Sequence, residues 1–425
     1  MRRRGPTHSD SAATPSPLPI VGAVKSSTFR SMRHRNFRLF FFGQFVSQVG
    51  NWLTLVTQSL LVLHLGGKGI DVGILAACQF MPILLLGAYG GVTADRTDKR
   101  RLLLVVQSIA MLQSFALAFV ASRSHPSFIA LDAVAAIGGV TMAFDNPARR
   151  SFFIEVVSED DVNNAVALNS SMMTSSRIVG PLIAGVLIRV ASYSWCFAFD
   201  GCTYGAVLVA LLMMRTGEMR RPKVVEREKG QVREGWAYVR RTPELWISLV
   251  MMAVVGTLAF NFQVLLPIFV KHTFGKSETA FTYLFAVLSS GSLAGALYAA
   301  RRTAVGVADV AKASVGFGVA LLVLAAAPSL AFAFPISIGV GWASILFLTA
   351  STSIVQIRCE PSMRGRVLAL QAIVFLGTTP VGGPIVGAVA DWLGARAGLV
   401  LGGIAGLAAG AYGIVKSPRP PVPID

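Results

Sequence analysis

The residues that could do chemistry are a few ionisable side chains placed inside long apolar runs. Arg177 lies near the middle of one such run, where a charge must be paired or hydrated. Asp132 and Asp200 lie nearer the ends of two other runs, and either carboxylate could neutralise Arg177. A membrane carboxylate that faces a cavity can also carry a proton. Arg177 is therefore a structural ion-pair partner or a cavity residue, and Asp132 and Asp200 are proton-coupling candidates.

A second charged group lies in a short loop between two apolar runs. In this loop Gly91 is followed by Asp95, Arg96, Lys99 and Arg100. One hypothesis is a latch, in which Asp95 pairs with an arginine and with the N-terminus of the eleventh span, because helix N-termini favour carboxylates. The alternative is that the basic residues of the loop only fix its orientation in the membrane.

The fourth and fifth runs carry further candidate residues, some for a charged gate at one membrane face and some for close packing between helices. Asp145, Arg149 and Arg150 lie at the same predicted face as the charged loop, so the two arginines are candidate partners for Asp95 and Asp145 is expected to join them. In the next run, small residues spaced four or five apart beside a proline favour close, bent helix packing. Either they form a contact at which two halves of the chain slide or bend, which we call a seam, or they are ordinary small-residue packing positions of a membrane bundle. These residues are Gly180, Pro181 and Gly185.

Two groups of amide side chains interrupt apolar runs. Their spacing in the first run keeps them on one helical face, and in the seventh run they stand beside phenylalanines. Such groups suit a large, partly apolar ligand, and interhelical hydrogen bonding is the alternative. The substrate-cavity candidates are Gln44, Gln48, Asn51, Gln58, Asn261 and Gln263.

The elements that must position these residues are helices in a membrane. The chain is 54% hydrophobic and 14% charged, with a mean hydropathy of +0.63. Apolar runs near the twenty or so residues that a helix needs to cross a bilayer predict twelve spans. They lie at about 39–64, 72–93, 102–121, 128–147, 165–189, 193–214, 245–270, 279–300, 307–327, 330–356, 366–390 and 395–415. The fold class is an all-α membrane protein.

Three loose sequence matches imply two similar halves. The glycine–proline segment of the fifth run recurs in the eleventh at an offset of 203, and two neighbouring matches recur at offsets of 204 and 202. We predict two six-helix bundles, at 36–214 and 244–416, with the functional site between them. A disordered basic tail at 1–35, a linker at 215–243 and a short tail at 417–425 complete the prediction.

The distribution of charge predicts the orientation. Of the 38 Lys and Arg residues, 31 fall on the side of the N-terminus and six on the other, which places both termini in the cytoplasm. The net charge of +17 lies in short loops between spans, so a nucleic-acid partner is not expected. The expected partners are the bilayer, protons and a small-molecule substrate, with a monomer as the working unit.

No pattern favours an enzyme, a metal or a cofactor. The nearest string to a phosphate-binding loop ends in Gly275-Lys276-Ser277, but Val270 occupies the position of its first glycine. The five histidines are scattered, and the four cysteines show no paired spacing, which predicts reduced structural thiols.

The motifs together resemble the major facilitator superfamily, in the exporter branch known as transmembrane secretion effectors. The resemblance spans nearly the whole chain and rests on Asn36-Phe-Arg-Leu-Phe, Gly91…Asp95-Arg96…Arg101, Phe144-Asp145-Asn-Pro-Ala-Arg149 and Met363-Arg-Gly-Arg. The branch includes siderophore exporters and macrolide or multidrug efflux proteins. It implies alternating access by two six-helix bundles, usually driven by proton antiport, and Gly180, Pro181 and Gly185 resemble its antiporter motif.

The chain departs from that family at three positions. Asp98 stands where the loop usually has glycine, so the turn is expected to differ. Ala299 replaces the acid in the second-half copy of the loop, which implies that only one latch exists. Asp200 stands where a neutral amide is expected.

We interpret the sequence as a secondary exporter of amphipathic small molecules against a proton gradient. An importer of a nutrient or lipid with the same fold is the nearer alternative. A non-transporting channel or membrane scaffold is the more distant one. The paired Gly-Pro segments and the charged loop favour a moving carrier over a channel.

Overall fold

The computed structural model describes residues 28–219, 231–301 and 305–417. Within these residues the regular structure is helical, and the first half of the chain forms six long helices. They are α1 (Arg35–His64), α2 (Gly69–Arg96), α3 (Lys99–Ala121), α4 (Phe128–Glu155), α5 (Val162–Val190) and α6 (Tyr193–Leu212).

The second half begins with a short amphipathic helix and continues with the remaining helices. They are α7 (Gln231–Arg241), α8 (Pro243–Leu258), α9 (Phe262–Ile268), α10 (Glu278–Ala299), α11 (Val307–Ala325), α12 (Leu330–Arg358), α13 (Pro361–Leu393) and α14 (Ala395–Lys416). A π-helical turn, Phe269–Thr273, extends α9, so that α8, α9 and this turn form one span, Pro243–Thr273.

Eleven helical elements in the described residues are long and apolar enough to cross a membrane. The remaining long helix is α1, whose 30 residues are ample in length but include the amide stripe predicted above. At about 1.5 Å per residue such a helix exceeds the thickness of the hydrocarbon core. The twelve-helix, all-α membrane fold is therefore confirmed.

The packing of the second six spans repeats that of the first. In the first half α2 packs on α4, α1 on α5 and α6, and α3 on α4 and α6. The equivalent pairs in the second half are α10 with α12, α8 with α13 and α14, and α11 with α12 and α14. We call these two groups the first and second bundles. They meet along two pairs of helices, α2 with α13 and α5 with α10.

We call the end of the molecule that carries the α2–α3 loop the basic end, and the opposite end the far end. At the basic end the first bundle is held by an aromatic cluster, in which the ring of Phe40 lies 4.8 Å from those of Phe152 and Phe153. The chain before α1 is fixed there as well, because the buried carboxylate of Asp161 pairs with Arg30 at 2.6 Å and with Arg33 at 2.8 Å.

Two predictions of local structure were wrong. A disordered tail through residue 35 is contradicted by the short 3-10 helix Arg30–Arg33, which the ion pairs with Asp161 hold. The rest of that prediction, 1–27, lies outside the described residues, as do 220–230 of the predicted linker and 418–425 of the last tail. The remainder of the linker contains α7, which a charge count alone did not indicate.

The second wrong prediction is that the seventh span, which is present, is one unbroken helix. The helix is interrupted at residues 259–261, between α8 and α9. The side-chain amide of Asn261 donates to the carbonyl of Thr257 at 2.7 Å, which occupies a carbonyl near the end of α8. Pro267 has no N–H group, so the carbonyl four residues before it loses its helical donor and α9 is short.

Candidate functional site

At the far end of the molecule, a carboxylate of one bundle is bound to a helix terminus of the other. Asp391, near the end of α13, accepts hydrogen bonds from the backbone N–H of Gly69 at 2.6 Å and of Ile70 at 2.8 Å. These N–H groups begin α2, where a helix has unpaired donors and a partial positive charge. Asp391 therefore caps α2 across the boundary between the bundles.

Glycines let α2 and α13 approach with their backbones in contact below this cap. A Cβ atom added to Gly73 would lie 2.5 Å from the carbonyl oxygen of Gly383. One added to Gly387 would lie 2.2 Å from that of Gly69. Both separations are far below van der Waals contact, so these positions require glycine in this arrangement. The glycine–proline segment of the eleventh span thus lies between the bundles, as the seam hypothesis expects.

The glycine–proline segment of α5 is divided between two contacts. Gly185 faces the second bundle, since an added Cβ would lie 2.2 Å from the hydroxyl of Thr282 on α10. Gly180 instead packs within the first bundle, where its Cβ would lie 2.7 Å from the backbone oxygen of Val49 on α1. Pro181 is buried between them. Gly185 is therefore the member of this segment that contacts α10.

Two further polar contacts join the bundles at the far end. The ammonium of Lys271 donates to the carbonyl of Leu63, at the end of α1, at 2.5 Å. His64 and Glu278 pair at 3.2 Å between α1 and α10. Together with the cap by Asp391, these contacts join the two bundles at the far end.

At the basic end, the described ion pairs of the first bundle join elements of that same bundle. Lys99 pairs with Glu155 at 2.5 Å, linking α3 to α4. Arg100 donates to the carbonyl of Leu211 at 2.7 Å, which caps the C-terminus of α6. In the second half of the chain, Arg358 pairs with Glu244 of α8 at 2.9 Å, and Arg366 of α13 pairs with Glu234 of α7.

The predicted gate residues of α4 form a local network. The guanidinium of Arg149 lies 3.4 Å from Asp145 and donates to Asn146 at 2.7 Å. Asp145 also accepts from Gln107 of α3 at 2.7 Å. Asp145 and Arg149 are thus brought together as expected, whereas Arg150 is exposed. This network ties α3 to α4.

The charged loop itself is ordered by a helix cap. Asp98 accepts from the backbone N–H of Arg101 at 3.0 Å and is the N-cap of α3. An aspartate in place of the usual glycine thus stabilises the start of α3. Gly91 and Asp95 are half-buried at the end of α2, and Arg96 is exposed. The latch by Asp95 stays a prediction.

Asp200 is enclosed by hydroxyl groups inside the first bundle. Its carboxylate is 1% exposed and accepts from Thr54 of α1 and Ser114 of α3, each at 2.7 Å. Thr203 lies 3.4 Å from it on the same helix. Gly50 of α1 leaves room for it, because an added Cβ would lie 2.3 Å from a carboxylate oxygen. The structure therefore has a buried carboxylate that links three helices through hydroxyls.

Arg177 does not pair with either predicted partner. Among the described residues its guanidinium lies over the rings of Trp52, at 5.1 Å, and Phe285, at 5.8 Å. The expectation that Asp200 or Asp132 neutralises it was wrong, because the hydroxyl groups take up the carboxylate of Asp200 and Asp132 is half-buried on α4. Arg177 thus lies where α1 and α5 meet the second bundle.

The amide stripe of α1 is largely buried, and part of it has no partner. Gln44 and Gln58 are at most 1% exposed, and no hydrogen-bond partner lies near either amide among the described residues. Gln48 is also buried, whereas Asn51 is half-buried. Buried amides are almost always satisfied, so Gln44 and Gln58 stand out as places where a ligand or water would bind.

The polar residues of the seventh span lie at its break. Asn261 is buried, and its side-chain oxygen has no partner within the described part of the chain. Gln263 is half-buried and is the second residue of α9. Beside them the ring of Phe260 lies 5.0 Å from Phe317 and 5.2 Å from Phe375. A broken helix that brings amides next to aromatic rings is a recurrent form of transporter binding site.

Sequence reasoning missed Asp391 and the hydroxyl partners of Asp200. An aspartate next to the exposed Trp392 reads as an ordinary residue at a membrane boundary. Its partner is 322 residues away in the chain, so no local spacing indicates the contact. The sequence did indicate the helix contact itself, because Gly69 and Gly73 have the same four-residue spacing as Gly383 and Gly387 of α13.

Comparison with known proteins agrees with this architecture. The family model described as transmembrane secretion effector matches residues 26–421. The chain belongs to the transmembrane secretion effectors. Like its relatives, this secretion effector is a multi-pass membrane transporter of the major facilitator type.

Curated relatives of this secretion effector include transporters and efflux proteins by name. It is 24% identical to the multidrug efflux pump Tap of Mycolicibacterium fortuitum, over 84% of this chain and 90% of that protein. It is 21% identical to macrolide efflux protein A of Streptococcus pyogenes, over 87% and 94%. It is 24% identical to the staphyloferrin A transporter of Staphylococcus aureus over 57% of this chain, which spans 61% of that relative's length.

Solved structures share its fold at low sequence identity. A bacterial homologue of the human lysosomal transporter Spinster matches with a TM-score of 0.74 and 15% identity, covering 92% of this chain and 97% of that one. A D-xylose–proton symporter matches with a TM-score of 0.71 and 12% identity, covering 92% and 99%.

The glycine seam between α2 and α13 predicts a steric effect that can be measured. Gly73→Val should push the two helices apart at the far end by about 2 Å, because helix separation follows the size of the side chains at the contact. Spin labels on Lys68→Cys and Trp392→Cys, in a background with the four native cysteines replaced, report the distance. Gly339→Val, where no atom lies within 4 Å of an added Cβ, should leave it unchanged. An unchanged distance in Gly73→Val would contradict the contact.

Proposed function

We propose that this secretion effector exports amphipathic small molecules across a bacterial plasma membrane in exchange for protons, by alternating access. In this proposal the basic end faces the cytoplasm and the far end faces outward, following the distribution of Lys and Arg. A monomer is the proposed working unit, because α2 and α13, and likewise α5 and α10, pack between the bundles and belong to the same chain. The bundles have the bounds predicted from the sequence.

The observation that carries the proposal is the set of polar contacts that join the two bundles at the far end. The described contacts at the far end join one bundle to the other, through the cap by Asp391 and the pair of His64 with Glu278. The ion pairs described at the basic end lie within a single bundle. A transporter whose bundles are joined at one end by such contacts, and that packs along the helix pairs α2–α13 and α5–α10, is suited to rocking about these two pairs.

The contacts at the far end are of a kind that can open at low cost. Asp391 is half-buried and the N–H of Ile70 is exposed, so both can exchange their partner for water. The glycine contacts leave no buried charge when the helices separate. The predicted latch by Asp95 lies at the opposite end of α2, at the basic end.

The binding region proposed for the substrate lies between the bundles, near the amides without partners. Asn261 offers a free acceptor beside the aromatic cluster of Phe260, and Gln44 offers an unpaired amide on α1. A few polar groups among aromatic rings suit a large molecule with apolar and polar parts. The names of the relatives, which refer to multidrug and macrolide efflux and to a siderophore, support this substrate range and the outward direction.

Asp200 is the better candidate for the coupling proton. Its partners are hydroxyls, which donate to a carboxylate and can rotate to accept from a carboxylic acid, so either protonation state can be satisfied. A change there acts on the contact between α1 and α6, where Gly50 is tightly packed. Asp132, half-buried on α4, is the second candidate.

Export against a proton gradient can be measured directly. In inverted membrane vesicles, acidifying the lumen should drive accumulation of at least one member of a panel of siderophores, macrolides and dyes. A protonophore should abolish that accumulation. Accumulation only with the reverse gradient would point to an importer, and no proton-dependent transport of any compound would contradict the proposed function.

The proposed role of Asp200 predicts a variant that loses proton coupling but keeps substrate exchange. Asp200→Asn should abolish accumulation driven by the proton gradient, because the amide cannot take up a proton, while exchange of labelled for unlabelled substrate continues. Thr54 and Ser114 can still bond the amide, so membrane insertion should be preserved. Asp132→Asn is the matched variant and should keep gradient-driven accumulation. Normal accumulation in Asp200→Asn would exclude this aspartate as the proton carrier.

A further inference from the structure

Arg177 lies on an aromatic platform at the boundary between the bundles. Its guanidinium contacts Trp52 of the first bundle and Phe285 of the second, whose rings lie 6.2 Å apart. Phe285 is fully buried, while Trp52 and Arg177 are only half-buried. A positive charge is therefore held in place by π faces deep in the membrane span, with part of its surface open.

The platform leaves the hydrogen-bonding capacity of the guanidinium unused. Within residues 28–219, 231–301 and 305–417, no carboxylate lies within ion-pair distance of Arg177, and its Nε atom is enclosed without a partner. Ring faces stabilise a cation but accept its N–H groups poorly, whereas a guanidinium presents a planar fork that matches a carboxylate. The structure thus holds a fixed cation whose strongest type of partner is missing from its surroundings.

The half of α5 toward the basic end carries polar side chains on the same face as this cation. Ser170, Thr174 and Arg177 follow one another at helical spacing and lie on one face. Ser170 is exposed and Thr174 is half-buried, and each hydroxyl bonds to a backbone carbonyl of its own helix. Arg177 therefore ends a stripe of polar side chains on α5 that extends toward the basic end.

We infer that Arg177 is an anion-recognition residue and that the exported molecules include amphipathic carboxylates. The carboxylate would bind the guanidinium fork, and the apolar part of the molecule would lie against Trp52 near the unpaired amides of α1. This inference rests on the proposed function and narrows its substrate class. It also accounts for a charge in the membrane interior that the first bundle does not neutralise.

The inference can be tested with three probes that differ only in their head group. They are 1-pyrenebutyrate, its methyl ester and 1-pyrenebutyltrimethylammonium, which carry an anionic, a neutral and a cationic group on the same aromatic body. Saturable binding to the full chain in nanodiscs of zwitterionic lipid is followed by fluorescence anisotropy. Binding to empty nanodiscs is subtracted to remove partitioning into the bilayer.

The wild type should bind the acid about tenfold to a hundredfold more tightly than the ester or the cation, the range expected for a charge-assisted pair. Arg177→Met should lose this preference while its affinity for the ester stays within about twofold. Arg177→Lys keeps the charge without the fork and should show a reduced preference. Arg189→Met, which removes an exposed arginine of the same helix, should behave like the wild type.

Equal binding of acid and ester by the wild type, or an undiminished preference in Arg177→Met, would overturn the inference. A loss of ester binding in Arg177→Met marks damage to the fold. In that case the acid preference of Arg177→Lys decides: a reduced preference supports the inference, and an undiminished one overturns it. Transport that treats acid and ester alike would refute the inference and leave the proposed function standing. Acid binding that depends on Arg177, without transport of any compound, would support the site and refute the proposed function.

Discussion

The structure depends on a hydrogen-bonded contact between Asp391 and the first turn of α2. A helix N-terminus has N–H groups that its own backbone cannot satisfy, and a carboxylate there is favoured by the helix dipole. Here the carboxylate comes from the other bundle, at 2.6 and 2.8 Å from two successive nitrogen atoms. The bond therefore stabilises one position of the bundles rather than one helix. The glycines of α2 and α13 are needed because the two backbones must approach closely for the bond to form.

The same two helices offer a related arrangement at their other ends. They run in opposite directions, so α2 ends at the basic end with Asp95 and α13 begins there. The predicted latch would place Asp95 at the N-terminus of α13, the counterpart of what Asp391 does at the N-terminus of α2. If the bundles rock as rigid bodies, closing one end opens the other. In this hypothesis Asp391 and the first turn of α2 exchange each other for water when the far end opens, so the cost of opening stays small.

The sequence was informative where the physical cause is local or repeated. Hydropathy predicted the spans, and the recurrence of Gly180-Pro181 at Gly383-Pro384 predicted two similar bundles, whose helix pairing the structure repeats. It was uninformative where side chains from distant positions meet. The break in the seventh span depends on Asn261 turning back to Thr257, which an apolar run does not reveal.

The partners of the buried charges were the hardest part of the site to predict. Opposite charge suggested that Asp200 neutralises Arg177, but the helices direct one to hydroxyls and the other to aromatic rings. Which face of α5 meets which face of α10 is decided by packing over the whole bundle. Residue type alone therefore indicated that Arg177 matters and left its role open.

The most direct test of this account removes the carboxylate of Asp391 and measures both ends of the molecule. Spin labels at Arg123→Cys and Lys276→Cys report on the far end, and labels at Arg215→Cys and Lys416→Cys report on the basic end. Asp391→Ala should lengthen the first distance and shorten the second. Asp71→Ala, which removes a cap that α2 supplies to its own first turn, should change neither. Distances in Asp391→Ala that match those of the parent protein at both ends would contradict the account.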